Sequence, residues 1–158
     1  RRWRLVRRRS PIIPAAGSRV AVVTVVRQRS GLTPALRDAR SRYPHARPLA
    51  YAWLDALQAA GRSSEALGAV GEQLRAWPHD PHLYEFQAKT YSALGRRTLQ
   101  HHAQAEFYVL QGVLLAAIEQ LQLAQAAGDA NFYELSSVDA RLKQLREQHA
   151  RELREAKK

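Results

Sequence analysis

The residues of this chain that could carry out chemistry are mainly histidines and carboxylates, because the chain has no cysteine. Its six histidines are His45, His79, His82, His101, His102 and His149. None of them begins a His-Glu-x-x-His motif, in which two histidines one helical turn apart bind zinc. His101 and His102 are adjacent, so on a helix they point in different directions and cannot bind one metal ion as that motif does. We expect no metal site among these residues.

Other catalytic patterns are also missing from the sequence. There is no glycine-rich phosphate loop, no nucleophile elbow and no close pair of acids suited to general acid–base catalysis. The lack of cysteine removes thiol nucleophiles and disulfides as well. We therefore predict that this chain has no catalytic residues and no cofactor of its own, and that it acts by binding other molecules.

The charge of the chain is unevenly distributed. The net charge is +11 over 158 residues. Residues 1–47 carry 13 Lys and Arg against a single acid, Asp38, whereas residues 48–158 carry 12 Lys and Arg against 13 acids. A basic tail of this kind can hold phosphate or anionic lipid, so a nucleic-acid or membrane-surface binder is one alternative function. It is not the favoured one, because the rest of the chain is nearly neutral.

Residues 1–31 fit the rest of the sequence poorly. An arginine cluster around Trp3 precedes two prolines, and the β-branched run from Val20 to Val26 has no helical periodicity. A charged start before an apolar run resembles a signal peptide, but a polar break separates the parts and the run is too short to span a membrane. We interpret this basic segment as a disordered arm, an irregularly packed segment or the product of a misplaced start. Since Met is absent, we expect the chain to be a processed product, an engineered segment or a fragment of a longer protein.

A motif that recurs at a constant interval organises the region 32–158. Tyr43-Pro44-His45 is matched by Trp77-Pro78-His79, and Gly61-Arg62 is matched at the same interval by Gly95-Arg96. A period of about 34 residues, with a proline closing each unit and a glycine between two helical segments, is typical of tetratricopeptide repeats. The sequence therefore predicts a stack of helix-turn-helix units.

Apolar residues spaced three and four positions apart predict the helices of these units. The predicted helices run from Pro34 to Tyr43, over 48–60, from Ser63 or Ser64 to Arg75, and over 82–94, 97–111 and 114–126. One of the two serines is predicted to cap its helix, and Gly61 to take a left-handed conformation after the preceding one. Gly68 and Gly71 lie inside a predicted helix, where each costs about 1 kcal/mol against alanine unless close packing requires it.

The second half of the chain departs from this interval. Gly112 follows Gly95 at half the distance in sequence that separates Gly95 from Gly61, which is half a repeat. The helix over 97–111 can therefore serve as the second helix of one unit and as the first helix of the next.

The C-terminal segment is predicted to close the stack. After Gly128 we expect an aromatic turn that places Phe132 and Tyr133 under a final helix, with Ser136 and Asp139 as its capping box. The final helix has apolar residues at alternating three- and four-residue spacing. A coiled coil of two heptads would be short, so we interpret this helix as a cap with a polar outer face.

The predicted fold is all-α: a tetratricopeptide-like helix-turn-helix solenoid of about three repeats over 32–158, with a C-terminal capping helix. The first helices of such repeats line a concave groove, and the repeat register places ten residues in it. They are Tyr51, Asp55 and Gln58 from one helix, His82, Glu85, Lys89 and Ser92 from the next, and His102, Glu106 and Val109 from the third. This mixture of aromatic, acidic and basic groups suits an extended peptide or a loop of a partner protein.

Residues from about 34 to 153 also resemble a known family. The likeness lies in Leu83-Tyr84-Glu85, Ala88-Lys89-Thr90-Tyr91, Leu94-Gly95-Arg96-Arg97, Tyr108-Val109-Leu110-Gln111-Gly112, Ala116-Ala117-Ile118-Glu119-Gln120-Leu121, Phe132-Tyr133 and Asp139-Ala140-Arg141-Leu142. These stretches are similar to the tetratricopeptide domain of the periplasmic zinc metalloproteases of the beta-barrel assembly-enhancing type. The half-repeat spacing is part of the likeness.

The resemblance implies a Gram-negative periplasmic protein whose missing N-terminal half would hold the His-Glu-x-x-His zinc site and the peptidase activity. It implies that the tetratricopeptide half docks on the outer-membrane assembly machinery and presents unfolded outer-membrane proteins. No catalytic or zinc-binding role carries over to a residue of this chain, because the family's catalytic residues are not in it. The sequence thus favours a non-catalytic protein-binding domain of such a protease, in outer-membrane protein quality control. A stand-alone tetratricopeptide adaptor without peptidase activity is the alternative.

Overall fold

The computed structural model describes residues 34–43 and 46–156, and these residues form seven α-helices and no strand. The first helix, α1, covers residues 34–42. The others are α2 (Arg47–Ala59), α3 (Ser63–Ala76), α4 (Pro81–Ala93), α5 (Arg97–Leu110), α6 (Leu114–Ala126) and α7 (Phe132–Glu155). The prediction of an all-α fold is confirmed. The separate N-terminal segment predicted over 1–31 lies outside the described residues.

Three of the connections between helices have the same backbone geometry. The φ angle is 70° at Gly61, 71° at Gly95 and 74° at Gly112. The N–H of Gly95 donates to the carbonyl oxygen of Ser92 at 3.0 Å, and the N–H of Arg96 donates to that of Tyr91 at 2.9 Å. The equivalent pair of bonds recurs around the other two glycines. Each connection is therefore a Schellman motif, which satisfies the last carbonyl groups of its helix.

These turns bring consecutive helices against each other. Only three residues separate the paired helices, and the residue after each glycine is already the N-cap of the next helix. Such short connections make the paired helices antiparallel neighbours. Helix α2 packs on α3, α3 on α4, α4 on α5, α5 on α6 and α6 on α7, while α5 also touches α7. The predicted serine cap of α3 is wrong, because the N-cap is Arg62 and Ser63 is already helical.

The buried apolar residues form two separate clusters. The first cluster joins α2, α3 and α4 and contains Trp53, Leu54, Leu57, Ala66, Ala69, Val70 and Leu83. The second joins α5, α6 and α7 and contains Ala105, Leu114, Ala117, Leu121, Ala124, Val138, Leu142 and Leu145. Helix α4 belongs to the first cluster and α5 to the second, so the contact between α4 and α5 lies between two hydrophobic cores.

The first turn of α5 is capped by a residue that is distant in sequence. Its own N-cap residue, Arg96, makes no side-chain bond to the helix. Instead, the carboxylate of Asp129, which lies between α6 and α7, accepts from the backbone N–H of Arg97 at 2.6 Å and of Thr98 at 2.9 Å. The hydroxyl of Thr98 donates to the same carboxylate, and this bond is the main cause that lowers the pKa of Asp129. The connection before α7 is thereby fixed to the start of α5.

Helix α7 begins earlier than the sequence pattern predicts. The side chain of Asn131 accepts from the N–H of Glu134 at 3.0 Å, and the side chain of Glu134 accepts from the N–H of Asn131 at 3.2 Å. These two bonds form the capping box of α7. The predicted capping box at Ser136 and Asp139 is wrong, because both residues already lie inside the helix.

The early start of α7 also changes the position of the aromatic pair. Phe132 and Tyr133 lie in the first turn of α7, where they are 78% and 83% exposed. Their rings contact each other edge to face, with centroids 5.8 Å apart. The prediction that they pack under the final helix is therefore wrong. The side of α7 that packs inward instead carries Val138, Leu142 and Leu145.

Replacing Gly68 with alanine is expected to raise the free energy of unfolding by about 1 kcal/mol, because alanine has the higher helix propensity. A Cβ at Gly68 or Gly71 of α3 would meet no neighbouring atom within 4 Å, so no close packing requires glycine there. Urea denaturation measures the change. Gly95→Ala is the matched control and should lower stability, because its φ of 71° disfavours a side chain. A loss of stability in Gly68→Ala would contradict the expectation.

Replacing Asp129 with asparagine is expected to lower the melting temperature at neutral pH and to have a smaller effect in acid. Folding lowers the pKa of Asp129 from 3.8, so the unfolded chain takes up the proton more readily. The stabilisation is therefore present above that pH and is lost as the pH falls through the folded-state value. Melting curves at about pH 7 and about pH 2.5 would compare the two proteins. Asp139→Asn serves as control, and a difference that did not change with pH would refute the role of the charge.

Candidate functional site

Tyr51 and Gln58, two of the three groove residues predicted on α2, contact α4. The ring of Tyr51 stacks on that of Phe86, with centroids 6.2 Å apart, and lies 5.7 Å from the ring of His82. Its hydroxyl donates to the carboxylate of Asp80, the buried N-cap of α4. Burial, and then the bond to Asp80 and the charge of that carboxylate, raise the pKa of Tyr51 to about 12. Tyr51 therefore ties the start of α4 to α2.

Gln58 connects the same two helices further along. Its amide nitrogen donates to the carbonyl oxygen of Phe86 at 2.9 Å and to the hydroxyl oxygen of Thr90 at 2.8 Å. The hydroxyl of Thr90, which is completely buried, donates in turn to the same carbonyl at 2.7 Å. Leaving such buried groups without partners would be costly, so these bonds stabilise the α2–α4 contact.

The more accessible residues of these two helices form what we call the α2–α4 surface. It consists of Asp55, His82, Glu85, Lys89 and Ser92. Asp55 lies on the stripe of α2 that faces α4, one turn from Tyr51. The ammonium group of Lys89 lies 2.7 Å from the carboxylate of Glu85, and Nδ1 of His82 lies 3.9 Å from it. This surface therefore offers solvent both signs of charge and both hydrogen-bond donors and acceptors.

The three residues predicted on α5 lie elsewhere. The carboxylate of Glu106 accepts two bonds from the guanidinium of Arg141 on α7, at 2.7 and 2.6 Å, which is the forked geometry of a strong ion pair. Nε2 of His102 lies 3.9 Å from the same carboxylate. Val109 packs against the second core cluster. Glu106 therefore connects α5 to α7, and Val109 contributes to the core.

An open cleft of about 320 Å³ lies beside this ion pair, between α4 and α5. We call it the α4–α5 cleft, and it is lined by Tyr84, Gln87, Tyr91, Leu99, His102, Ala103 and Glu106. The lining combines two aromatic rings and two apolar side chains with an amide, an imidazole and a carboxylate. It lies between the two apolar clusters, where neither core fills the space.

The predicted groove residues thus fall into two groups on different sides of α4. At about 100° per residue, His82, Glu85 and Lys89 share one stripe of the helix, whereas Tyr84 and Tyr91 lie about half a turn away. The first stripe borders α2 and the second borders α5. The structure therefore brings the predicted residues of α2 and α4 together, but it places those of α5 on the opposite side of α4.

Burial changes the ionisation of several groups at the cleft. Desolvation is the main cause that lowers the pKa of His102 below 6.5; the charge of Glu106 opposes this effect and that of Arg141 adds to it. Because the carboxylate of Glu106 is paired with Arg141, its attraction for a proton on His102 does not offset the desolvation that lowers the pKa of His102. Burial also raises the pKa of Tyr84 and of Tyr91. At neutral pH the imidazole is therefore uncharged and both phenols keep their protons.

The sequence prediction omits most residues of this region, among them Tyr84, Tyr91, Leu99 and Arg141. Tyr91 follows Leu83 and Ala88 at helical spacing, which favours a position on the core side of its helix, and the helix that carries Arg141 is interpreted only as a cap. The signal that could have revealed the cleft is the halved interval between Gly95 and Gly112. It leaves room for a single helix between the two turns, so α5 has to pack against neighbours on both sides.

The chain matches no protein-family model and no curated protein. No helix of the described residues is long and apolar enough to cross a membrane. The same part of the chain holds no group of three or more His, Asp or Glu side chains arranged to bind a metal ion. What these helices do offer is hydrogen-bonding and ion-pairing groups on one surface and an aromatic-lined cleft on another.

The stability of the protein is expected to fall more steeply in acid than that of a His102→Gln variant. Folding lowers the pKa of His102 from 6.5, so below that pH the unfolded chain binds a proton that the folded chain does not. Stability therefore rises with pH in this interval; the contribution is complete above about pH 6.5 and is lost as the pH falls. Urea denaturation at about pH 7.5 and about pH 5.5 gives the two values. Gln104→Ala, a non-titrating change on the same helix, should keep the wild-type pH dependence, whereas the same dependence in His102→Gln would contradict the assignment.

Proposed function

We propose that residues 32–158 form a tetratricopeptide-type repeat domain that binds proteins and has no catalytic role of its own. The observation that carries this proposal is the set of three matching Schellman turns at Gly61, Gly95 and Gly112, where the second interval is half of the first. A repeat array stacks similar helical units in sequence order, and turns that recur at one interval and then at half of it are consistent with units made of two helices and a shift by one helix. The packing of each helix on the next from α2 to α7 supports the same arrangement.

The contacts between alternate helices support a shift by half a repeat. Helices α2 and α4, which would be the first helices of successive units, lie side by side through Tyr51 and Gln58. Helices α5 and α7 are in the same relation through Glu106 and Arg141. Helix α5 would then be the second helix of one unit and the first helix of the next, and α7 would close the array.

The α2–α4 surface is the protein-binding surface in this proposal. First helices line the groove of a repeat array, and here two of them lie side by side. Asp55, His82 and Lys89 are exposed, and each can bond to a partner without leaving a buried group unpaired. An extended polypeptide, which offers backbone donors and acceptors along its length, suits such a surface.

The resemblance to the periplasmic zinc metalloproteases extends the proposal to a larger protein. In such a protein this domain would hold unfolded outer-membrane proteins and dock on the assembly machinery, while zinc and peptidase activity would belong to another part of the chain. A stand-alone tetratricopeptide adaptor without peptidase activity is the second candidate. The gene sequence upstream of the codon for Arg1 distinguishes the two, since only the protease encodes the His-Glu-x-x-His motif in the same protein.

Binding to nucleic acid gains no support from the described helices. Residues 34–156 contain 14 Lys and Arg and 14 acids, so they carry no excess positive charge. Recognition of the phosphate backbone depends on a basic patch or stripe. Most of the cations of α1 and α2 are instead paired within the fold, such as Arg37 with Glu65 and Arg40 with Glu72.

Replacing Asp55 and Lys89 together with alanine is expected to weaken binding of an unfolded outer-membrane β-barrel protein by about tenfold, because both charges lie on the α2–α4 surface. Fluorescence anisotropy of the labelled barrel protein, freshly diluted from urea, measures the Kd. Tyr51 is left unchanged, because its bond to Asp80 supports the fold.

The matched control is Glu119→Ala with Lys143→Ala, which also removes one charge of each sign, from exposed positions of α6 and α7. This pair should leave the Kd unchanged, and circular dichroism should show equal helicity in all three proteins. Equal binding by wild type and the Asp55/Lys89 variant would exclude the α2–α4 surface. A wild-type protein that captured no unfolded polypeptide would refute the proposed function itself.

A further inference from the structure

The α4–α5 cleft takes no part in the binding surface proposed above, yet its composition is that of a binding site. Ligand pockets are concave, largely apolar, and carry a few polar groups that converge on the ligand. The cleft has the rings of Tyr84 and Tyr91 and the side chain of Leu99 on its walls, with the polar groups of His102 and Gln87 among them. Three of its residues also have pKa values shifted by burial, which is common at functional sites.

The charges around the cleft favour an uncharged ligand. The carboxylate of Glu106 and the guanidinium of Arg141 neutralise each other through two short bonds. An anion would have to face the carboxylate, and a cation would have to face the guanidinium, so neither gains a net attraction. His102 is uncharged at neutral pH because of its burial, and it therefore offers one donor and one acceptor.

The size and the lining of the cleft favour an aromatic ligand with one polar edge. Its volume of about 320 Å³ is at the lower end for ligand sites, so it has room for a single ring rather than for a larger molecule. Aromatic rings attract a further ring in stacked or edge-to-face contact. The hydroxyl of Tyr84 already donates to the carbonyl oxygen of Pro78 at 3.2 Å, so the imidazole of His102 and the amide of Gln87 remain as partners for a polar edge. We assign the contact to the imidazole, because that side chain is only 26% exposed and is therefore held in place within the cleft.

We propose that the α4–α5 cleft is a subsite that receives a neutral aromatic side chain with a hydrogen-bonding edge, tyrosine or tryptophan, from the bound polypeptide. The ring lies against Tyr84, Tyr91 and Leu99, and its hydroxyl or indole N–H bonds to His102. This inference rests on the proposed function only in taking the ligand to be part of a polypeptide. Through the cleft, the protein would prefer polypeptides that are rich in tyrosine and tryptophan. This preference would add to the binding of the polypeptide by the α2–α4 surface.

Small probes test the cleft without a polypeptide. Aromatic and methyl NMR spectra of the full 158-residue chain would be recorded while p-cresol, the side chain of tyrosine, is added. We expect p-cresol to bind with a Kd of about 1 mM and to shift the ring signals of Tyr84, Tyr91 and His102. Toluene, which lacks the hydroxyl, should bind roughly three- to tenfold more weakly, as the loss of one hydrogen bond predicts.

Variants separate the polar contact from the shape of the cleft. His102→Leu should weaken p-cresol binding roughly three- to tenfold and leave toluene binding unchanged. Glu119→Ala, on the exposed side of α6, is the control and should bind p-cresol as the wild type does. If His102→Leu does not fold, the signals shifted in the wild type still decide where p-cresol binds.

Three results would overturn the inference. They are equal binding of toluene and p-cresol, shifts confined to the α2–α4 surface, and a lack of p-cresol binding, whether or not acetate or methylguanidinium binds. Failure of this inference and failure of the proposed function can be told apart. Absent p-cresol binding with intact capture of unfolded polypeptide would refute only the subsite, whereas p-cresol binding without capture would refute the proposed function and would leave the cleft as a site for a small aromatic molecule rather than for a side chain of a polypeptide.

Discussion

The left-handed glycine after a helix is the constraint on which the rest of this structure depends. At Gly61, Gly95 and Gly112 the chain reverses within three residues, and the same two backbone bonds close each turn. Because the turn is so short, the next helix has to lie antiparallel to the preceding one and in contact with it. Which faces meet is then decided by the spacing of successive glycines along the chain. Between Gly61 and Gly95 the chain forms two helices, and α2 contacts α4 through Tyr51 and Gln58. Between Gly95 and Gly112 it forms α5 alone, which packs on both α4 and α6.

The half interval explains several features that look unrelated at first. Helix α5 packs on α4 and α6 and also touches α7, so its surface is shared among three neighbours. The apolar residues accordingly divide into one cluster on each side of the α4–α5 contact, and the cleft lies where neither cluster reaches. The start of α5 has no cap of its own and obtains one from Asp129, which fixes the loop before α7 in place. With that loop fixed, Arg141 on α7 is held near Glu106.

The helices and their glycine turns could be predicted from the sequence because their causes are local. Apolar spacing and the left-handed preference of glycine act within one or two turns of helix, and the bounds of α2 to α6 differ from the predicted ones by at most one residue. The start of α7 could not be predicted from the capping pattern alone, since Asn131 with Glu134 and Ser136 with Asp139 both fit it. In the structure, Asn131 and Glu134 form the capping box. Because α7 therefore begins at Phe132, both Phe132 and Tyr133 lie in its first turn and are exposed to solvent. The position of His102 and Glu106 could not be predicted, because it depends on which side of α4 is covered by α5, and this is a property of packing between helices.

The division of the core also has a consequence for how the protein moves. Cooperative units of a protein open together when they share buried apolar contacts, and they open separately when they do not. Here α1 to α4 share one set of contacts and α5 to α7 share another, and in the described part of the chain the main contact between the two sets is that of α4 with α5. Much of the free energy that couples the two units therefore resides in this helix pair. A molecule that fills the space between α4 and α5 would strengthen the coupling between the two halves. Slow amide exchange in one half would then depend on the stability of the other half.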